Sequence, residues 1–164
     1  MIFLTVGTLF PFDRLVEAVD NAVAKGFIKE NVFAQIGKTD FEPKNLEYVE
    51  ALDKDMFEEK VAKADYLISH AGIGSITTAL ERNKPLLVMP RMKRFKEHVN
   101  DHQVSTARKF EQLGHVLVAY SVEELPQKIK QLSTFTPKPR GSEAHRVVQR
   151  IAKFLDELSL SGKS

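Results

Sequence analysis

The 164-residue chain contains no cysteine. That absence excludes disulfides, thiolate nucleophiles and thiolate metal sites, and it is compatible with a reducing cytoplasm. No apolar run approaches the roughly 20 residues that a bilayer-crossing helix needs. Neither sign of charge dominates, with 24 Lys and Arg against 22 Asp and Glu. Bulk charge therefore gives no argument for nucleic acid or for an acidic partner. There is no internal repeat and no low-complexity tract. The opening MIFLTVGT lacks a basic n-region, is too short for a signal peptide, and reads instead as a first strand. What remains is ordinary: 43% hydrophobic and 28% charged residues. That composition and length suit one globular domain with a proper core.

Along the chain, strand signals alternate with helix signals. Ile2 to Val6 is a β-branched and aromatic run ended by Gly7-Thr8. Phe12, Leu15, Val16, Val19 and Val23 follow at helical spacing, with Gly26 as the stop. Asn31 to Ile36 predicts a second strand, and Leu46 to Val49 a brief third. Asp53 or Asp55 can cap a helix running to about Lys63. Tyr66 to Ser69 is the next strand, followed by a glycine loop and a helix to Asn83. Pro85 leads into a strand at Leu86 to Met89. A helix is predicted from near Val99 to Leu113, stopped by Gly114, then a strand at Val116 to Ala119. Ser121 and Glu124 form a capping-box pair for a helix over Val122 to Leu132. The expected organisation is a domain over residues 1–133, a Pro-containing linker over 134–141, and an amphipathic helix over 142–160. The stripe of that helix is Val147, Val148, Ile151, Phe154, Leu155 and Leu158. This alternation implies βαβ units and an α/β fold with a Rossmann-like parallel sheet, which binds ligands at the carboxyl ends of its strands.

The junction Ser69-His70-Ala71-Gly72-Ile73-Gly74-Ser75 falls at such an end. Glycine permits close backbone approach, and the helix beyond presents unpaired N–H groups with a positive dipole end. Phosphate suits that seat, and Ser75 adds a hydroxyl donor. Gly7-Thr8 closes the first strand and can face the same crevice. The spacing matches neither the dinucleotide fingerprint nor the P-loop, which leaves open a phosphate-bearing ligand of another kind.

Two polar stretches follow Pro90. Arg91-Met92-Lys93-Arg94-Phe95-Lys96 combines four cations with one aromatic ring and could meet RNA, an anionic lipid surface or pyrophosphate. Glu97-His98-Val99-Asn100-Asp101-His102-Gln103 sets His98 and His102 four apart, on one face of the predicted helix. The zincin pattern requires Glu directly after the first His, and Val99 stands there instead. Contact with a sugar or phosphate fits this stretch better than a metal does.

Together, MIFLTVGT…PFDRLVEAVD, SHAGIGSITTALERNKPLLVMPR and EHVNDHQ resemble the glycosyltransferase family 28 C-terminal domain. The closer resemblance is to its small stand-alone form. That form is found in bacterial capsule and exopolysaccharide synthesis, and in the eukaryotic subunit that completes transfer from UDP-N-acetylglucosamine to a dolichol-linked sugar. EHVNDHQ after VMPR is closest to the bacterial exopolysaccharide members. The resemblance covers about residues 1–130 and rests on three motifs in order.

The resemblance implies the C-terminal, donor-binding half of a GT-B glycosyltransferase. Gly7 and Thr8 match its first glycine loop near the phosphates. His70, Gly72, Gly74 and Ser75 match its second loop at the diphosphate and sugar. Asn100, His102 and Gln103 match its polar motif for the donor sugar, and Arg91 adds a cation beside the diphosphate. His70 and His102 are the titratable groups expected to contact the donor or steady the leaving group. Relatives carry a Glu in the helix after the second loop that grips the ribose; Thr78 takes that position here, and Glu81 lies three residues on. The implied donor is a UDP-sugar, with no cofactor and no metal. The implied partners are a membrane-associated acceptor-binding subunit and a polyprenyl-diphosphate-linked sugar, not nucleic acid. The expected location is the cytoplasm, at the inner face of the membrane through that partner. Two other classes fit the residues: a non-catalytic nucleotide-binding scaffold subunit, and a metal-dependent hydrolase using His98 and His102.

Overall fold

The first strand sets the architecture. β1, Ile2–Thr5, is buried along all four residues. A strand hydrophobic on both faces belongs at the centre of a sheet covered on both sides. In the computed structural model, which describes residues 1–138, β1 is central. It pairs in parallel with β2, Val32–Gln35, on one side and with β4, Tyr66–His70, on the other. Outward lie β3, Glu47–Val49, at one edge, and β5, Leu86–Met89, then β6, Leu117–Val118, at the other. The order β3-β2-β1-β4-β5-β6 is parallel throughout.

Alternating side chains feed two cores. Ile2, Leu4 and Val6 face one side, packed with Leu15, Val16 and Val19 of helix α1, Asp13–Ala24, and with Leu125, Ile129 and Leu132 of α5, Leu125–Leu132. Phe3, Leu67 and Val88 face the other. Their partners are Val61 of α2, Lys54–Lys63; Ile76, Ala79 and Leu80 of α3, Ile73–Glu81; and Ala107 and Phe110 of α4, His102–Gln112. Each fully buried Leu, Ile or Phe contributes about 1.5–3 kcal/mol relative to exposure. The chain winds from β1 toward β3, then crosses back to β4 and winds the other way. The winding direction changes between β1 and β4, so the loops after these two strands border one crevice.

Local signals account for most boundaries. Asp53, not Asp55, caps α2: its Oδ1 accepts from Met56 N at 2.8 Å. Gly26 and Gly114 take left-handed φ values of 71° and 73° just past α1 and α4. Two helices start three residues later than the pattern predicts. α4 begins at His102, not near Val99, because the polar side chains before it bind backbone elsewhere. Asn100 Oδ1 accepts from His102 N at 3.2 Å, and Asp101 Oδ1 accepts from Lys93 N at 2.7 Å. Asn and Asp compete with a helix in this way. α5 begins at Leu125 with Pro126 in its first turn, where a missing N–H costs nothing. Glu124 does reach back, but to Tyr120 N at 2.9 Å and not to Ser121.

Beyond α5, Lys138 N donates to Gly114 O at 2.9 Å, so residues 134–138 run back to the turn after α4. The rest of the 134–141 segment and the predicted helix over 142–160 lie outside the described residues. Among the described residues, no helix is long and apolar enough to cross a membrane.

Candidate functional site

The crevice begins with Gly7, at φ 75°. A Cβ there would sit 3.0 Å from His70 Nε2, so the close approach of two strand ends requires glycine. Its carbonyl is fixed from beneath. Gln35, 3% exposed, donates through Nε2 to Gly7 O at 3.0 Å and to Glu50 O at 3.1 Å. Its Oε1 accepts from Thr5 Oγ1 at 2.7 Å. Ser69 Oγ donates to Thr5 O at 2.7 Å and ties β4 to β1 at the same level.

The turn from β4 into α3 is short. Gly72 is the N-cap residue and offers no side-chain cap. A Cβ on Gly72 would collide with the His70 ring. Gly74 is exposed, and a Cβ there would have no atom within 4 Å. The first N–H groups of α3 therefore open onto free space, with the positive end of the helix behind them.

The tautomer of His70 follows from its neighbours. Gln103 Oε1 accepts from Arg91 N at 3.1 Å, which turns the Gln103 amide nitrogen toward His70 Nδ1, 3.4 Å away. An NH₂ group can only donate, so Nδ1 is the acceptor and the ring proton sits on Nε2. Nε2 lies 3.4 Å from Ser75 Oγ and faces the space beside Gly7. Burial, with Arg91 and His98 nearby, pulls the His70 pKa down to about 3. His70 is thus a neutral N–H donor at physiological pH.

The segment between β5 and α4 is held by side chains. Arg91 is 3% exposed. Its Nη2 donates to Val6 O at 2.7 Å and Phe10 O at 2.6 Å, gripping both ends of the Gly7 loop. Its guanidinium lies 4.9 Å over the Phe12 ring, and its buried Nε has no partner. Burial lowers its pKa to about 10, so it stays charged at neutral pH. Arg14 of α1 pairs with Glu97 through two bonds of 2.7 and 2.8 Å, and also donates to Pro90 O at 3.0 Å. Glu97 Oε2 accepts from Met92 N at 3.0 Å.

These elements enclose a cavity of about 260 Å³. Of the residues singled out in the sequence, Gly7, Thr8, His70, Gly74, Ser75, Arg91 and Gln103 line it together. Gly72 stands behind the His70 ring. Asn100 and His102 are exposed at its rim and joined to each other by a short side-chain hydrogen bond. The His102 ring is 4.5 Å from that of His98, and burial followed by His98 lowers its pKa. His98 precedes the helix, so the two rings meet across a turn and not along one helix face. Thr78 lies apart, in a narrow gap with Phe3, Phe57 and Val61. Among the described residues, no group of three or more His, Asp or Glu side chains could hold a metal ion. A larger cavity, about 550 Å³, lies between α1 and the turn after β6 and includes none of those residues except at its Arg94-Phe95 border. The smaller one carries the convergent polar chemistry.

Residue patterns placed Glu97 and His98 in a polar stretch suited to a sugar or phosphate, but did not single out Gln35, Arg14, Leu9 or Phe10 for the cavity. Gln35 carries one signal, a polar residue ending the apolar run VFAQ. Arg14 carries none, because its partner is distant in sequence.

The fold and its crevice define the class first: a Rossmann-like α/β domain of the kind that forms the C-terminal half of GT-B glycosyltransferases. Acinetobacter baumannii MurG superposes with a TM-score of 0.61 at 20% identity, covering 92% of this chain and 49% of that one. The solution structure of ALG13 superposes with a TM-score of 0.59 at 22% identity, covering 92% and 93%. In sequence, the human UDP-N-acetylglucosamine transferase subunit ALG13 is 31% identical over 153 residues, which cover 87% of this chain and 13% of the human protein. The match thus spans a small part of that relative's length. The profile of the glycosyltransferase family 28 C-terminal domain matches residues 1–158. The chain belongs to that family.

Proposed function

We propose that this chain is the donor-binding, catalytic subunit of a UDP-sugar-dependent glycosyltransferase. It transfers a hexose to a lipid-linked acceptor and works with a membrane-associated partner subunit. The observation that carries the reading is the uncapped start of α3, which opens beside Gly74 onto free space under the His70 Nε2–H. Family membership supports transferase chemistry, and the name of the human relative supports a UDP-sugar donor and a subunit role.

In the proposed reaction, an acceptor hydroxyl attacks the anomeric carbon. The new C–O bond forms as the bond to the diphosphate oxygen breaks, and UDP departs with the bonding electrons. A base in the partner subunit takes the hydroxyl proton. Negative charge grows on the leaving diphosphate, and donors fixed in advance lower that barrier. The α3 amides, Ser75 Oγ and His70 Nε2–H are such donors. His70 is too weak a base to take the acceptor proton. Asn100, His102 and Gln103 border the donor sugar, and no cofactor or metal enters the scheme. Arg91 acts on the diphosphate chiefly by holding the Gly7-Thr8 loop. Thr78, the candidate for the ribose, does not line the cavity. The sugar transferred is either N-acetylglucosamine, as the human relative's name suggests, or the hexose of a bacterial exopolysaccharide or capsule unit. The lipid-linked acceptor puts the reaction at a membrane, and in this reading the partner subunit recruits the chain to its inner, cytoplasmic face.

Calorimetry with UDP, ADP and GDP tests the donor site: a clear preference for UDP is expected, and equal or absent binding refutes it. Reconstitution with the partner and a panel of UDP-sugars tests the transferase. UDP binding without turnover under any of those conditions would leave a scaffold subunit.

A further inference from the structure

A row of polar side chains crosses the buried sheet just beneath the crevice. Strand register sets Ser69 of β4, Thr5 of β1 and Gln35 of β2 side by side, and none is more than 5% exposed. Burying such groups costs free energy that apolar residues would not, unless each finds a partner. Ser69 and Thr5 find theirs within the row. Gln35 also reaches beyond it, to the carbonyls of Gly7 and Glu50.

The Gln35 amide has one orientation. Its Oε1 accepts from Thr5 Oγ1, and its Nε2, which can only donate, faces two carbonyls that can only accept. Gly7 O therefore points toward β2. A Cβ on Gly37, two residues past Gln35, would lie 3.3 Å from the same oxygen, which places it on that side independently. Among the described residues no peptide bond is cis. Across a trans peptide the N–H points opposite to the C=O. The Thr8 N–H thus points away from β2, toward β4 and the cavity that Gly7, Thr8 and His70 line. No acceptor among the described residues takes it. Glycine at position 7 makes rotation of this peptide cheap, and a turned peptide would set its carbonyl against an anion. Arg91 takes Val6 O and Phe10 O of the same loop, and Gln35 takes the Gly7 carbonyl between them. Two buried side chains draw three carbonyls aside, and amides turned the other way suit an anion.

We propose that Gln35 is a positioning residue for the donor diphosphate, holding the Gly7–Thr8 peptide so that the Thr8 N–H joins the α3 amides as a donor in the same cavity. The inference rests on the donor-site reading and deepens it.

The test is amide NMR of the full chain titrated with UDP, and with ADP and GDP for comparison. The Thr8 and Ser75 amide protons should both move downfield as UDP fills the seat. Gln35→Met, similar in length but without donors, should abolish the Thr8 shift and keep that of Ser75. It should weaken UDP binding about tenfold, the worth of one hydrogen bond to a charged group. Thr5→Val frees the Gln35 amide to turn and should weaken binding about threefold, which carries the test where Gln35→Met fails to fold. UDP bound with the Thr8 proton unmoved, or a Thr8 shift that survives in the folded variants, overturns the inference. Loss of the Thr8 and Ser75 shifts together makes Gln35 a merely structural residue and overturns it too. Both shifts appearing with ADP and GDP as strongly as with UDP would keep the role of Gln35 and remove the UDP-sugar reading. Absence of all nucleotide binding overturns both.

Discussion

The two sides of the crevice are built differently. After β4 the chain turns into α3 through Ala71 and Gly72 alone, and the ligand seat there is backbone. After β5 it wanders from Pro90 to Asp101 before α4, and that wall is placed by Arg14, Arg91, Glu97 and Gln103 reaching across the fold. A backbone seat depends on where a helix starts. A side-chain wall depends on a network, and networks fail together when one member is removed.

Glu97→Ala should show the largest effect. It leaves the Arg14 guanidinium, 16% exposed, without its carboxylate, and frees Met92 N as well. Breaking a buried pair from one side costs about 3 kcal/mol. Urea denaturation should show a loss of that size, and Arg14→Met/Glu97→Leu should recover most of it. A loss below about 1 kcal/mol would mean that the wall stands without its ion pair.

Gly74→Val attacks the other side and should do the reverse. Nothing surrounds that position, and valine is a slightly better helix former than glycine, so stability should change by no more than about 0.5 kcal/mol. The valine methyls would occupy the seat, and UDP affinity should fall about thirtyfold, roughly 2 kcal/mol. A folded variant with unchanged UDP affinity would show that the α3 amides are not the seat.

That contrast also explains what was legible in the sequence. β5 is found at Leu86–Met89 as predicted, and β4 gains only His70, because short apolar runs bounded by Gly, Pro and Asp depend on local chemistry. The glycine loop was legible for the same reason: strand, glycine pair and helix follow one another within a few residues. The start of α4 was not, since Asn100 and Asp101 could have continued the helix had their side chains not been drawn to His102 N and Lys93 N. Arg91 read as a cation for a phosphate, yet its Nη2 is spent on Val6 and Phe10 carbonyls far away in sequence. Long-range side-chain bonds leave no periodic trace, so this wall of the crevice appears only in three dimensions.

His70 connects the two sides, and pH reads that connection. Its pKa falls from an ordinary value near 6.5 to about 3, chiefly through burial. Between those values the unfolded chain holds a proton that the folded chain refuses. Stability is therefore complete above pH 6.5 and declines as pH falls through that window. Partial exposure of the ring moderates the loss, which should reach about 1 kcal/mol by pH 5.5. His102 shifts in the same direction and adds to the slope. His70→Gln should flatten the dependence in denaturation measured from pH 7.5 to 5.5. A slope unchanged by that substitution would place the titrating group elsewhere.

The smallest effect expected lies within the side-chain wall. Lys96 sits at φ 59°, ψ 23°, the left-handed region, where a long side chain pays a conformational cost that asparagine largely avoids. Glycine would avoid it too, but the added freedom of the unfolded chain would cancel much of the gain. Lys96→Asn should therefore stabilise the domain in urea denaturation by about 0.5 kcal/mol, and Lys96→Gly by less. If both destabilise, the lysine side chain makes a contact that outweighs its backbone strain, and the loop after β5 is held at one more point than its hydrogen bonds reveal.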